Sequence, residues 1–313
     1  MSNSLHIAFD LGSFSIKGAV GRVNQNKELE ILSIQTIKTE SIECGTIVDK
    51  ERLRKDLEYL IDRLEKEAKI NIKDVMVSMS GETIKSINSL SRTSINDSTD
   101  SKIDEEIKSK LLSQCADIQV STGRHILHKI SQGFVIDDSP LVRNPLGMRG
   151  KIVEARAHVI HVQEFNLAQI DACFTGDLAI DINPVFDGLA SSYGNLSKDN
   201  KKLGVVFVDI GSDKTNVVIY KDEYLIHSKV IPIGSNLVTK DLATRFDTSI
   251  QHAEEIKRKH VSALSKLADV ESNFELPIEN DDLKRKFNKK EVSEIAESRF
   301  KEIINKVNEE IQA

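Results

Sequence analysis

Residues 7–17 and 206–218 carry the same pattern, and that repetition limits the folds open to the chain. The first stretch reads Ile7-Ala8-Phe9-Asp10-Leu11-Gly12-Ser13-Phe14-Ser15-Ile16-Lys17. The second reads Val206-Phe207-Val208-Asp209-Ile210-Gly211-Ser212-Asp213-Lys214-Thr215-Asn216-Val217-Val218. Each is an apolar strand, then Asp-apolar-Gly-Ser, a short polar turn and a second apolar strand. This predicts a hairpin with Gly at the bend. Two such units predict two structurally related halves. Their physical use is phosphate binding: Gly lets backbone N–H groups approach phosphate oxygens, and turn hydroxyls add donors. An Asp closing each first strand suits hydrated Mg²⁺, which keeps its waters and takes few protein ligands. One Asp-x-Gly-Ser is a common turn. Two in matching strand contexts point to paired phosphate loops.

At 313 residues the chain is long enough for two domains. Its 39% hydrophobic and 29% charged content excludes a disordered or fibrous chain. A net charge of -6 excludes a strongly basic nucleic-acid footprint. Cys44, Cys115 and Cys173 are odd in number and lack metal-ligand spacing, which predicts a reducing compartment and no disulfide framework. The start, Met1-Ser2-Asn3-Ser4, has no secretion signal, and no apolar run reaches the roughly 20 residues of a membrane span. A soluble, cytosolic chain is expected.

The rest of the sequence predicts an α/β layout. Residues 50–69 place Leu53, Leu57, Leu60, Ile61, Leu64 and Ala68 on one helix face, with Asp49 as N-cap. Residues 74–81 read as a buried strand, and 86–102, dense in Ser, Thr, Asn and Asp, as an exposed loop or edge. A helix over 103–118 and strands over 122–135 and 150–162 complete a small α/β insertion at 85–162. A helix over 165–178 and a strand at 180–183 follow. They lead into a small-residue helix, 186–193, fitted for close approach to another helix or to a ligand. The polar run 195–202 reads as a linker, 239–260 as helical and 268–289 as irregular. Glu254 and Lys257 share a helix face, as an exposed ion pair would. Val292, Ile295, Ala296, Phe300, Ile303, Ile304, Val307 and Ile311 form an amphipathic stripe whose polar face is too acidic for a lipid anchor. That stripe needs more of a domain to pack on, so the carboxyl-terminal domain is expected to be cut short.

The two hairpins resemble the phosphate loops of the actin-like ATPase superfamily, and within it the chain resembles the FtsA family of bacterial cell-division proteins. The resemblance rests on Asp10-Leu11-Gly12-Ser13, His125-Ile126-Leu127-His128-Lys129-Ile130 and Asn144-Pro145-Leu146-Gly147-Met148-Arg149-Gly150. It also rests on Gly188-Leu189-Ala190-Ser191-Ser192-Tyr193, on residues 203–211, on Val230-Ile231-Pro232-Ile233-Gly234, on Ala253-Glu254-Glu255-Ile256-Lys257 and on Asn308-Glu309-Glu310-Ile311. It implies an actin-like fold of two ribonuclease-H-like domains with an FtsA-type α/β insertion. The first domain would comprise 1–84 and 163–201, with the insertion at 85–162. A partial second domain would follow, as 202–240 and a helical part at 241–313.

The resemblance further implies ATP and Mg as ligands. Asp10, Gly12, Ser13 and Lys17 would hold the outer phosphates. Asp209, Gly211, Ser212 and Lys214 would form the second loop, with Asp10 and Asp209 reaching Mg through water. Glu254 and Lys257 would grip ribose and base, and Arg299 would receive the acidic tail of FtsZ. The insertion would mediate self-association into filaments and contact with later division proteins. It also implies work at the inner face of the membrane at the septum, reached through a carboxyl-terminal helix that this chain lacks.

Two departures stand out. Family members carry Asp-Ile-Gly-Gly-Gly-Thr at the second loop, whereas here Asp213 places a carboxylate where Gly meets phosphate. At about 6 Å and an effective dielectric near 20, one like-charge pair costs roughly 3 kcal/mol unless Mg²⁺ or Lys214 offsets it. At most weak ATP hydrolysis is expected. Family members also continue well past residue 313. An adaptor role in division is the leading expectation. A pilus-assembly adaptor is one alternative, and a small-molecule kinase using Asp187 as base is the other.

Overall fold

A computed structural model describes residues 5–95, 102–117, 120–176, 178–269, 271–277 and 284–312. The chain divides into two compact units. One takes in the chain up to Asp209 together with residues 216–230, and the other comprises residues 210–215 and 231 onward.

The first unit opens with an antiparallel meander of β1 (Leu5–Leu11), β2 (Ser15–Val23) and β3 (Leu29–Lys38). A small hairpin, β4 (Ile42–Glu43) and β5 (Thr46–Ile47), leads to α1 (Lys50–Ala68). Asp49 caps α1 by accepting from the Arg52 N–H, and Lys69 ends it in the left-handed region. The stripe read from the sequence is the buried one: Leu53, Leu57, Leu60, Ile61 and Leu64 face the core. Strand β6 (Asp74–Met79) then joins β1 in parallel.

The insertion follows as β7 (Lys85–Ser94), α2 (Glu105–Asp117), β8 (Arg124–Ile136) and β9 (Ile152–Gln163). Its sheet has the order β7-β9-β8, and it has its own core around Phe134, Val153, Ala155, Val159 and Leu111. Through residue 94 the edge reading of 86–102 holds and the loop reading does not, since β7 is an edge strand of that sheet. There the usual pattern is inverted: Ser89 and Ser91 are buried while Leu90 is 55% exposed. Pairing with β9 and a bond from Ser91 Oγ to the Leu111 carbonyl override the polar composition. Residues 96–101 of that expected loop lie outside the described residues, as do residues 1–4.

Helix α3 (Glu164–Phe174) returns the chain to β10 (Asp181–Phe186), which completes a five-stranded sheet of order β10-β6-β1-β2-β3. Helix α4 (Asp187–Asn195) and helix α5 (Lys198–Leu203) come next. The supposed linker at 195–202 is thus mostly α5, nucleated by a Ser197/Asn200 capping box. A second meander has the order β11 (Val205–Ile210), β12 (Thr215–Lys221) and β13 (Tyr224–Ile231).

The insertion meets β13 through polar groups. Gln132 donates to the Leu225 carbonyl (2.6 Å), Asn88 to that of Ile226 (2.8 Å) and Ser86 Oγ to that of Ser228 (2.7 Å). Arg143 binds Glu223 and the Asp222 carbonyl. His158, 1% exposed, joins Asn88 to Ser228 Oγ. Burial, with the His227 charge adding to it, pulls the His158 pKa down to about 4.

The second unit is built on α6 (Asn236–Phe246), α7 (Ile250–His260) and α8 (Lys289–Gln312). The expected single helical stretch at 239–260 is two helices, broken where Asp247 turns left-handed and Ser249 caps α7. Residues 268–289 are not irregular throughout. They hold the hairpin β14 (Asn273–Pro277) and β15 (Lys284–Asn288), fixed by Phe274 stacked between His260 and Phe287. Residues 278–283 lie outside the described residues. The α8 stripe buries Val292, Ala296, Ile303 and Val307, while Ile304 and Ile311 stay exposed.

Candidate functional site

In each repeated hairpin the turn Gly packs against the carbonyl of the residue three positions on. A Cβ on Gly12 would lie 2.8 Å from the Ser15 carbonyl oxygen, and one on Gly211 would lie 3.1 Å from that of Lys214. The Gly211 N–H donates to the Lys214 carbonyl at 2.9 Å. The penultimate residue of the first strand in each hairpin is an Asp, whose side chain meets that of the residue seven positions later. In the first hairpin Lys17 Nζ sits 2.9 Å from Asp10 Oδ2, and Ser78 Oγ donates to Asp10 Oδ1. In the second, Asn216 Nδ2 lies 3.5 Å from Asp209 Oδ2.

Asn216 is the hub of the first unit's polar site. It is 2% exposed, donates also to Asp187 Oδ2 at 3.1 Å, and accepts from Ser80 Oγ at 2.8 Å. Asp10, Asp187 and Asp209 therefore gather about Lys17. Burial pulls the Lys17 pKa down, but the Asp10 hydrogen bond and the charges of Asp10, Asp187 and Asp209 outweigh it and raise it. Gly188 makes the cluster possible, because a Cβ there would lie 2.7 Å from the Phe186 ring and 3.0 Å from Asn216 Cβ. The small residue at the start of α4 serves close packing.

This donor set fits a magnesium–phosphate group. Ser13 Oγ is buried in the first turn with no hydrogen-bond partner, an orphan that a phosphate oxygen would satisfy. Three carboxylates against one ammonium leave an excess of negative charge that calls for a cation. Among the described residues no three acidic, His or Cys side chains converge tightly enough to ligate a bare metal.

The remaining sequence candidates lie in the second unit. The turn of Gly211, Ser212, Asp213 and Lys214 is fastened to the start of α6: Ser235 N donates to the Gly211 carbonyl, and Asn236 N to that of Ser212 at 2.7 Å. Asp213 is held by Asn236 Nδ2 at 3.0 Å, and Lys214 is buried. Glu254 and Lys257 do pair, at 2.6 Å, but not as an exposed couple. Their side chains are 21% and 13% exposed, and Thr239 Oγ1 bonds both. Arg299 is bound by Asp241 and by Glu302 at 2.7 Å, which together raise its pKa. It lies in a groove with Arg245 and Ile295.

Sequence reasoning missed Asn216, Ser78 and Ser80. The signal for Asn216 was available, since it fills in the second repeat the position that Lys17 fills in the first.

The fold is that of the actin-like ATPases. Its solved neighbours include MreB 5 of Spiroplasma citri bound to AMPPNP, at 12% identity and a TM-score of 0.56, covering 100% of this chain and 80% of that one. A PilM-PilN type IV pilus biogenesis complex follows at 15% and 0.53, covering 82% of this chain and 70% of that one. Such likeness establishes fold alone. The sequence profile of cell division protein FtsA matches residues 206–312, and that of the SHS2 domain inserted in FtsA matches residues 81–161. Cell division protein FtsA of Pseudomonas aeruginosa is 30% identical over 312 residues, 99% of this chain and 74% of that protein. That of Borreliella burgdorferi is 31% identical over 315 residues, 99% and 75%. The chain belongs to the FtsA family of cell division proteins. Among the described residues, no helix is long and apolar enough to cross a membrane.

Proposed function

We propose that this chain acts in bacterial cell division as an ATP-binding, actin-like adaptor. It self-associates into filaments, engages FtsZ and works at the inner face of the membrane at the septum. The observation that carries the nucleotide part is the cluster of Asp10, Asp187, Asp209 and Lys17 beside the orphaned Ser13 hydroxyl. Lys17 is the mobile cation: its pair with Asp10 is half exposed and therefore cheap to exchange for phosphate. Asp10 and Asp209 would hold Mg through water, and the ion would supply charge neutralisation. Family resemblance supports Gly211, Ser212 and Lys214 as further phosphate contacts, and Glu254 with Lys257 as the ribose and base grip. The same resemblance supports 1–84 with 163–201, 85–162, 202–240 and 241–313 as working parts. In that division 85–162 meets other division proteins.

Arg299 is the proposed contact for the carboxylates of the FtsZ tail. Because Asp241 and Glu302 already hold it, the tail would have to displace or share those partners. Two equilibrium titrations test the reading, one with fluorescent ATP and Mg²⁺ and one with a peptide of the FtsZ carboxyl terminus. Both should saturate, and Lys17→Ala should weaken the nucleotide at least about tenfold, the worth of one charge-assisted bond. A chain that binds neither ligand at millimolar concentration sinks the proposal.

A further inference from the structure

The two hairpins match in their Asp, Gly and Ser but differ in the residue opposite each Asp. One half supplies the Lys17 ammonium. The other supplies the Asn216 amide, which is neutral and also draws in Asp187. A pair of lysines would have balanced the Asp10 and Asp209 carboxylates. Instead the first unit gathers three carboxylates and one ammonium, and the third carboxylate is there because the buried amide fixes it. Asp187 is also tied to Ser191 Oγ at 3.4 Å, within its own helix.

We propose that Asp187, fixed by the Asn216 amide beside Asp209, is the specificity-determining residue that makes this site accept the magnesium complex of a nucleoside triphosphate and reject the metal-free anion. The inference rests on nucleotide binding by this cluster and adds to it a reason for metal selectivity. Removing one like charge about 6 Å from a phosphate, at an effective dielectric near 20, is worth about a hundredfold in affinity. The complex with Mg²⁺ would escape most of that penalty because the ion's positive charge would offset the like charges.

The experiment measures the dissociation constant of fluorescent ATP for the full chain twice, in Mg²⁺ and in EDTA, and reads the ratio of the two. In Asp187→Asn the shape is kept and the Asn216 N–H still finds a carbonyl, so metal-free binding should tighten and the ratio fall at least about tenfold. Asn216→Asp adds a charge in place of the donor, and its ratio should rise. A merely structural role would weaken both affinities together and leave the ratio in place. An unchanged ratio in a folded Asp187→Asn protein overturns the inference while leaving nucleotide binding intact. So does a native chain that binds metal-free ATP as tightly as the complex. Failure of the native chain to bind nucleotide even with Mg²⁺ overturns both the inference and the reading beneath it.

Discussion

Replacing Gly234 with Ala tests how firmly the second phosphate turn is built. A Cβ at 234 would lie 2.2 Å from the Ser212 carbonyl oxygen, 2.5 Å from its carbon and 2.7 Å from the Asp213 nitrogen. All three are backbone atoms, so no rotamer change relieves the clash. Ordinary contact begins near 3.4 Å, and the turn must retreat by roughly 1 Å, an overpacking strain that costs about 1–3 kcal/mol. That movement also stretches the bonds from Ser235 N to the Gly211 carbonyl and from Asn236 N to the Ser212 carbonyl, each worth about 1 kcal/mol. Together these predict a loss of about 3–5 kcal/mol and a fall in Tm of about 5 °C or more for the second unit. ATP affinity should fall with it. Scanning calorimetry and ATP titration read the two effects. The control is Gly194→Ala, whose new methyl meets nothing within 4 Å and should leave Tm unchanged or raised. If Gly234→Ala melts with the native protein and binds nucleotide equally well, close packing does not hold this turn.

Acid should loosen the first unit through His158. Its folded pKa of about 4 lies below the ordinary value, so it folds neutral. The stability it contributes is full above about pH 6.5 and is lost as pH falls toward 4, about 2 kcal/mol of it between pH 7 and 5. Urea melts at those two pH values should show that loss in the native chain and a smaller one in His158→Gln. Leu57→Ala, fully buried on α1, should cost about 2–5 kcal/mol in the same assay. Asp213→Gly should tighten ATP binding, up to about a hundredfold if the carboxylate lies near phosphate, and a titration with no gain shows that the Asp213 charge does not oppose the phosphates. Arg299→Ala should abolish capture of the FtsZ peptide without altering ATP affinity, as pull-down and titration would show.

The architecture was legible because its signals are local. Asp-apolar-Gly-Ser between apolar strands specifies a hairpin, and the α1 stripe with its Asp49 cap specifies a helix. Elements stabilised by distant partners were not legible. The edge at 86–94 could be read from its polar composition, but not that β7 turns serines inward and Leu90 outward, an arrangement that pairing with β9 holds. The β14–β15 hairpin depends on Phe274 lying between His260 and Phe287, a stack that no local pattern announces. At the site, charged residues near the repeated turns drew notice, whereas Asn216 did not. An uncharged amide shows its importance only once three partners surround it.

The insertion grips main-chain oxygens of β13 at Leu225, Ile226 and Ser228. Every residue type presents that same oxygen, so substitutions along much of β13 can accumulate without loosening the attachment. The same oxygens become a hazard if the insertion is excised. Stripped of Gln132, Asn88 and Ser86, the outer margin of β13 would offer unsatisfied acceptors to any passing extended peptide, and a chain shortened in this way should clump with its own copies.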